Sequence, residues 1–171
     1  GSGSAAIQLA QDAGARVFAT AGGEDKVALC RELGADVAID YTRENVPDRI
    51  RELTARRGVD LVVDNVGKAT WRDSIECVRR GGRIATCGAT TGNDATTPIN
   101  RVYWKHVSIH GSTMANRREF RDVARLVEGG RIEPVIDTEI PLDAVPDALR
   151  RMREGDQFGK IVITIGAPGA A

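Results

Sequence analysis

Residues 15–40 read ARVFATAGGEDKVALCRELGADVAID. Ala15 to Ala21 is a short run of small and β-branched residues that reads as a strand. Glu24 to Leu33 is helical, with Val27, Leu29 and Leu33 apolar and Glu24 and Asp25 at the end where the helix dipole favours acids. Gly34 closes it. Asp36 to Asp40 is a second strand. Strand, helix, strand in so short a span is a βαβ unit, whose two strands run parallel.

The alternation continues on both sides of this unit. Upstream, Ser4 to Ala13 places Ile7, Leu9 and Ala10 at helical spacing and Gly14 stops it. Downstream, Asn45 to Arg57 is an amphipathic helix built on Val46, Ile50 and Leu53, and Val59 to Asp64 is a strand with a buried Leu-Val-Val centre. Ala69 to Val78 reads as a helix closed by Gly81-Gly82, and Arg83 to Gly88 as a strand. The polar stretch ATTGNDATTP that follows is loop. Ile99 to Lys105 reads as a helical turn and Val107 to Gly111 as a strand. Arg117 to Glu128 is a helix carrying Phe120, Val123, Leu126 and Val127. Pro134 to Ile140 is extended, Leu142 to Met152 helical, and Lys160 to Ile165 a final strand. Residues 166–171 are expected to be a disordered tail. Strands alternating with helices predict an α/β fold with a doubly wound parallel sheet.

Composition narrows the function. In 171 residues, 24 Lys and Arg balance 24 Asp and Glu, so no basic surface points to nucleic acid or to an anionic membrane. No apolar run is long enough to span a bilayer, and Gly1-Ser2-Gly3-Ser4 is no signal peptide. A cytoplasmic protein acting on a small molecule is expected. Aromatics are only 4%, so the core must be built from Val, Ile, Leu and Ala. Cys30, Cys77 and Cys87 are too scattered for a disulfide framework, and Cys87, in an apolar strand, reads as a buried thiol. His106 and His110, read on a strand, lie about 13 Å apart, so they do not form a metal site by themselves. Trp71, Tyr103 and Trp104 are expected to pack. No catalytic base, nucleophile or metal set emerges.

Six strings carry a resemblance. They are SAAIQLAQDAGARVFAT (4–20), CRELGADVAIDY (30–41), GVDLVVDNVG (58–67), GGRIATCG (81–88), IHGST (109–113) and FGKIVIT (158–164). In this order and spacing they resemble the nucleotide-binding part of medium-chain dehydrogenases/reductases, which include zinc-type alcohol dehydrogenases and quinone oxidoreductases. The resemblance implies a Rossmann-like sheet with strand order 3-2-1-4-5-6. It also implies that residues 1–165 are a partial dinucleotide-binding domain. The family's first, central strand and its Gly-rich turn have no counterpart ahead of the first helix here. ARVFATA and VDLVVD are then each expected to lack a strand partner. The N-terminal catalytic domain of the family, with its zinc when it has one, is not represented either. The chain is expected to be the cofactor-binding part of an oxidoreductase that is inactive without the rest, and the complete enzyme to be a homo-oligomer, a dimer or tetramer.

The resemblance also suggests cofactor contacts. NAD binders place an acid at the tip of the second strand for the ribose 2′-hydroxyl; here the tip is Ala19-Thr20-Ala21-Gly22-Gly23. Thr20 and Gly22 would line the adenosine end, and Lys26 and Tyr41 match residues that hold a 2′-phosphate in similar quinone reductases. NADP(H) is therefore expected over NAD(H). Asn65 would lie beside the adenine ribose, Gly88, Ala89 and Thr90 beside the nicotinamide ribose, and Gly111, Ser112 and Thr113 beside the carboxamide. Gly159 and Lys160 would approach from the far side. Each has a plainer alternative: a solvated helix lysine, a strand-end tyrosine packed on the sheet, turn chemistry at Asn65 and Gly67, an ordinary strand-start lysine. Asp64 reads as a cap for the next helix. Two rival readings are a non-catalytic NADP(H)-binding or oligomerisation module and an S-adenosylmethionine methyltransferase. The second lacks the ribose-binding acid after its second strand.

Overall fold

The structure, a computed structural model, describes residues 1–166. The last residues, 167–171, where a disordered tail is expected, lie outside the described residues. In chain order the elements are α1 (Ser2–Asp12), β1 (Phe18–Ala21), α2 (Glu24–Glu32), β2 (Val37–Asp40), α3 (Val46–Leu53), β3 (Val59–Asp64), α4 (Trp71–Cys77), β4 (Val78–Thr86), α5 (Ile99–Lys105), β5 (Ser108–Gly111), α6 (Arg117–Glu128), β6 (Ile136–Pro141), a 3-10 turn (Leu142–Ala144), α7 (Val145–Glu154) and β7 (Lys160–Thr164). Every ladder is parallel.

The described residues form three separate ladders: β1-β2, β3-β4-β5 and β6-β7. Among them, β1 bonds only to β2 and β3 only to β4, so each keeps one open edge, as the sequence predicts. Side chains join what the ladders leave apart. Ile39 of β2, Ile50 of α3 and Cys77 of α4 form one buried cluster with Phe18 of β1 and Val59 and Val62 of β3 packed against it. Part of β3 is uncovered: Leu61 is 53% and Val63 49% exposed, although the Leu-Val-Val centre of this strand reads as buried.

Several boundaries differ from the sequence reading. Helix α3 ends at Leu53, not Arg57. Thr54 Oγ1 donates to the Ile50 carbonyl and accepts from Gly58 N–H, and Ala55 and Arg56 turn left-handed. Strand β4 starts at Val78, so Gly81-Gly82 lie inside a strand rather than ending a helix. The ladder steps from Val59 opposite Val78 to Leu61 opposite Arg83, which bulges the intervening residues. The segment after Pro134, expected to be extended, forms β6 and pairs with β7. Ile99–Lys105 is a helix of two turns, closed by His106 in the left-handed conformation. Lys105 Nζ donates to the carbonyls of Ile75, Glu76 and Val78 at 2.8, 2.8 and 3.0 Å and so caps α4.

The β6-β7 unit is strapped to α1 and α2. Arg131 makes a two-pronged ion pair with Asp12 at 2.8 and 2.7 Å. The Gln8 amide both donates to and accepts from the Glu133 backbone. Phe158 packs on the cluster of Ile7, Val27 and Cys30.

Candidate functional site

Parallel strands end together, so loops after β1, β2, β3 and β4 gather at their carboxyl edge. At the β1 end a cleft of about 270 Å³ is lined by Gly3 and Ser4 of the first turn of α1, by Thr20, Gly22 and Lys26, and by Tyr41. Ile7, Ala21, Cys30, Val66 and Phe158 complete it, and no acid lines it. Helix α1 presents its N-terminus here, where unpaired amides and the dipole favour an anion.

Tyr41, at the end of β2, lies across the tip of β1. A Cβ on Gly22 would stand 2.6 Å from the Tyr41 Oη and 2.8 Å from its Cζ. The smallness of Gly22 is thus filled by the protein's own tyrosine. Lys26, in the first turn of α2, extends into the cleft wall, and its Nζ donates to the Gly155 carbonyl at 2.5 Å. Gly155 is the left-handed residue that closes α7. An ammonium has three donors, so two remain.

Two buried carboxylates shape the surrounding loops. Asp40, at the end of β2 and 8% exposed, accepts three hydrogen bonds at its Oδ1: from Thr42 Oγ1 at 2.7 Å, Thr42 N–H at 3.0 Å and Gly23 N–H at 3.1 Å. The Thr42 hydroxyl first, then the Thr42 and Gly23 amides, hold its carboxyl below the usual carboxylate value. In the sequence Asp40 is marked only as an acid ending a strand beside the acid-free strand tip. Asp64, 3% exposed, accepts from Val66 N–H, Gly67 N–H, Thr70 Oγ1 and Ser74 Oγ. Burial pushes this carboxyl up, but the bonds from Ser74, Gly67, Val66 and Thr70 outweigh it and hold it below the ordinary value. Asp64 therefore ties the turn after β3 to the hydroxyls of Thr70 and Ser74; it is not the helix cap that its sequence position suggests, since the N-cap of α4 is Thr70, without a side-chain cap bond.

Of the residues expected to touch a cofactor, Thr20, Gly22, Lys26 and Tyr41 share the cleft. Asn65 is half-buried next to the cleft residue Val66. Its backbone is what Gly88 accommodates: a Cβ on Gly88 would come within 2.8 Å of the Asn65 carbonyl oxygen. The expected close approach at Gly88 is therefore made by the chain itself. Ala89 and Thr90 are exposed in a loop zipped to the Asp64–Thr70 segment through Thr91 N–H to Val66 O and Lys68 N–H to Gly92 O. Gly111, which ends β5, and Ser112 and Thr113 after it are exposed, and Ser112 N–H bonds the Thr86 carbonyl. Gly159 lies against the Val135 carbonyl, and Lys160, opening β7, carries its Nζ to within 3.7 Å of where a Cβ on Gly1 would be, beside the start of α1.

Three expectations about side chains are corrected. Cys87 is exposed, because it follows the last paired residue of β4, while Cys30 and Cys77 are buried; burial lifts the Cys77 thiol to about 12. Tyr103 and Trp104 are 60% and 65% exposed, side by side on α5 with ring centres 5.8 Å apart. Only Trp71 packs, with its Nε1 donating to Thr97. Among the described residues no group of three or more His, Cys, Asp or Glu is placed to hold a metal ion. No helix among them is long and apolar enough to cross a membrane.

The model of a family described as zinc-binding dehydrogenase matches residues 1–129. A crotonyl-CoA reductase of Streptomyces collinus is 31% identical over 98% of this chain and 41% of its own. A solved structure described as an NAD-dependent alcohol dehydrogenase superposes with a TM-score of 0.90 at 41% identity, over 95% of this chain and 48% of that one. The 2-octenoyl-CoA carboxylase reductase CinF, solved with NADP and 2-octenoyl-CoA, gives a TM-score of 0.90 at 29% identity, over 100% of this chain and 42% of that one. The chain thus spans less than half the length of each of these relatives.

Proposed function

Since the chain belongs to the zinc-binding dehydrogenase family, we propose that it is the coenzyme-binding part of an oxidoreductase that moves a hydride between NADP(H) and an alcohol, aldehyde, ketone, quinone or enone. The observation that carries the cofactor reading is one cleft holding Lys26 and Tyr41 with the first turn of α1, and no acid among its lining residues. The relatives support the reaction class and divide over the cofactor: one is described as NAD-dependent and another was solved with NADP. An enoyl thioester such as 2-octenoyl-CoA is an α,β-unsaturated carbonyl, which favours the enone end of the substrate range.

A bound nicotinamide coenzyme supplies the hydride chemistry. The residues of this chain hold its other end. A 2′-phosphate carries close to two negative charges near neutral pH. The two spare donors of Lys26 and the Tyr41 hydroxyl face it, and no lining carboxylate repels it. The first turn of α1, with Lys160 beside it, receives the pyrophosphate. The zinc of the family name has no ligand set among the described residues, so no step is assigned to a metal here.

The test is the pair of dissociation constants for NADPH and NADH, measured by calorimetry on this chain and on the complete protein. A charge-assisted phosphate contact is worth roughly 1.5–3 kcal/mol, so NADPH is expected to bind about one to two decades tighter. Equal affinities would overturn the cofactor assignment. Binding of NADPH by the complete protein without turnover of any enone, aldehyde or quinone would favour a non-catalytic binding module instead.

A further inference from the structure

The cleft has two walls. One wall is the turn from β1 into α2, which carries Gly22 and delivers Lys26. The other is the end of β2, which carries Tyr41. These walls belong to adjacent strands in register, Ala21 opposite Asp40. Beyond that last pair, the Tyr41 N–H bonds the Ala21 carbonyl at 3.1 Å, and the turn itself is held by a side chain.

That side chain is Asp40. One carboxylate oxygen receives Gly23 N–H from the first wall, and Thr42 N–H and Thr42 Oγ1 from the second. Gly23 is the N-cap of α2, at φ 89°, ψ 154°. This backbone conformation is open essentially only to glycine and persists only where its surroundings hold it. Lys26 is the third residue of α2, so the position of the Gly23 amide fixes where the lysine stem begins. Thr42 follows Tyr41 directly, so the same oxygen fixes the backbone from which the tyrosine ring reaches over Gly22.

We propose that Asp40 is a positioning residue for 2′-phosphate recognition: a single buried carboxylate oxygen, bonded to Gly23 and to Thr42, sets the separation of Lys26 and Tyr41 and thereby the cofactor preference. This rests on the NADP(H) reading above and deepens it. The carboxylate acts through geometry rather than charge. An acid near a phosphate disfavours it by repulsion, whereas a clamp oxygen need only accept hydrogen bonds, which an amide oxygen also does.

Asparagine and alanine at position 40 separate these possibilities. The probes are adenosine 2′,5′-bisphosphate and adenosine 5′-monophosphate, which differ by the 2′-phosphate alone. The readout is the ratio of their dissociation constants in the full chain. Asp40→Ala removes the acceptor, and the preference for the bisphosphate is expected to fall by about tenfold, the size of one lost charge-assisted contact, with monophosphate binding nearly unchanged. Asp40→Asn keeps an oxygen in place and is expected to retain the ratio within about threefold. Thr42→Val, which removes only the 2.7 Å bond, is expected to lower the ratio about threefold, and it decides the matter if Asp40→Ala does not fold.

A ratio unchanged in Asp40→Ala, or in Thr42→Val if alanine does not fold, overturns the positioning role. So does a rise in bisphosphate affinity in both the alanine and asparagine variants, which would mark a repulsive charge. A parent chain that binds both probes equally overturns instead the NADP(H) reading, and this inference with it. A parent with a clear preference and an unresponsive position 40 overturns this inference alone.

Discussion

Lys26 has one partner in the structure and, under the proposed function, a second. It donates to the Gly155 carbonyl at the end of α7, and it lines the cleft where a 2′-phosphate would sit. A lysine at a helix C-terminus is favourable by itself, so its presence alone does not decide for the cofactor. The two roles predict different losses. Lys26→Ala is expected to weaken NADPH by one to two decades while leaving NADH within about twofold. A variant that loses only a little stability and keeps the NADPH preference would assign Lys26 to α7. Asp64 is a clearer structural case. Four donors converge on it with almost no exposure, so Asp64→Ala is expected to cost about 3 kcal/mol in urea unfolding. Its carboxyl is held below the ordinary value when folded. The stability it contributes is therefore present above about pH 3.9, the unfolded value, and fades as pH falls through the lower folded value. Asp64→Asn is expected to flatten the stability–pH curve over that acid range.

Helix α6 shows how an element can be specified locally and still lack a partner. Its limits, Arg117–Glu128, are those the sequence predicts, because Asn116 and Glu119 form a reciprocal capping box: the Asn116 side chain accepts from the Arg118 and Glu119 amides, and Glu119 accepts from the Asn116 amide. Its apolar stripe is another matter. Phe120, Val123 and Val127 are 70%, 46% and 37% exposed. With little packing to hold it, the helix depends on its cap. Asn116→Ala is expected to cost about 1 kcal/mol locally, seen as faster amide exchange across residues 117–121 with little change in global melting temperature. Slower or unchanged exchange would show that packing, not capping, holds this helix.

For the whole molecule the deciding features are the open edges. Strands β1 and β3 each leave one side without a partner among the described residues, and Leu61 and Val63 stand half-exposed beside one of them. Unpaired N–H and C=O rows next to apolar side chains are templates for another strand. The isolated chain is therefore expected to self-associate, with a melting temperature that rises with protein concentration. A monomer by sedimentation with a concentration-independent melt would contradict this.

The sequence alone determined the element order, the parallel ladders and most helix limits. Helical and strand periodicity, caps and glycine stops act over a few residues and need no tertiary context. It also marked Thr20, Gly22, Lys26 and Tyr41, which do share a cleft, because parallel strands deliver their carboxyl ends to one edge. What depends on contacts between distant segments was decided only in three dimensions. Glycines 22 and 88, small in either reading, are filled by Tyr41 and by the Asn65 backbone. Cys87 and Trp104 look like core residues by type yet face outward, since burial depends on which neighbour covers a face. Pro134–Ile140 reads only as extended, and its pairing with β7 is settled by hydrogen bonds between segments some twenty residues apart. Asp40, unremarked in one dimension, becomes a clamp only when β1 and β2 lie in register, because a carboxylate's role is fixed by the donors that folding brings to it.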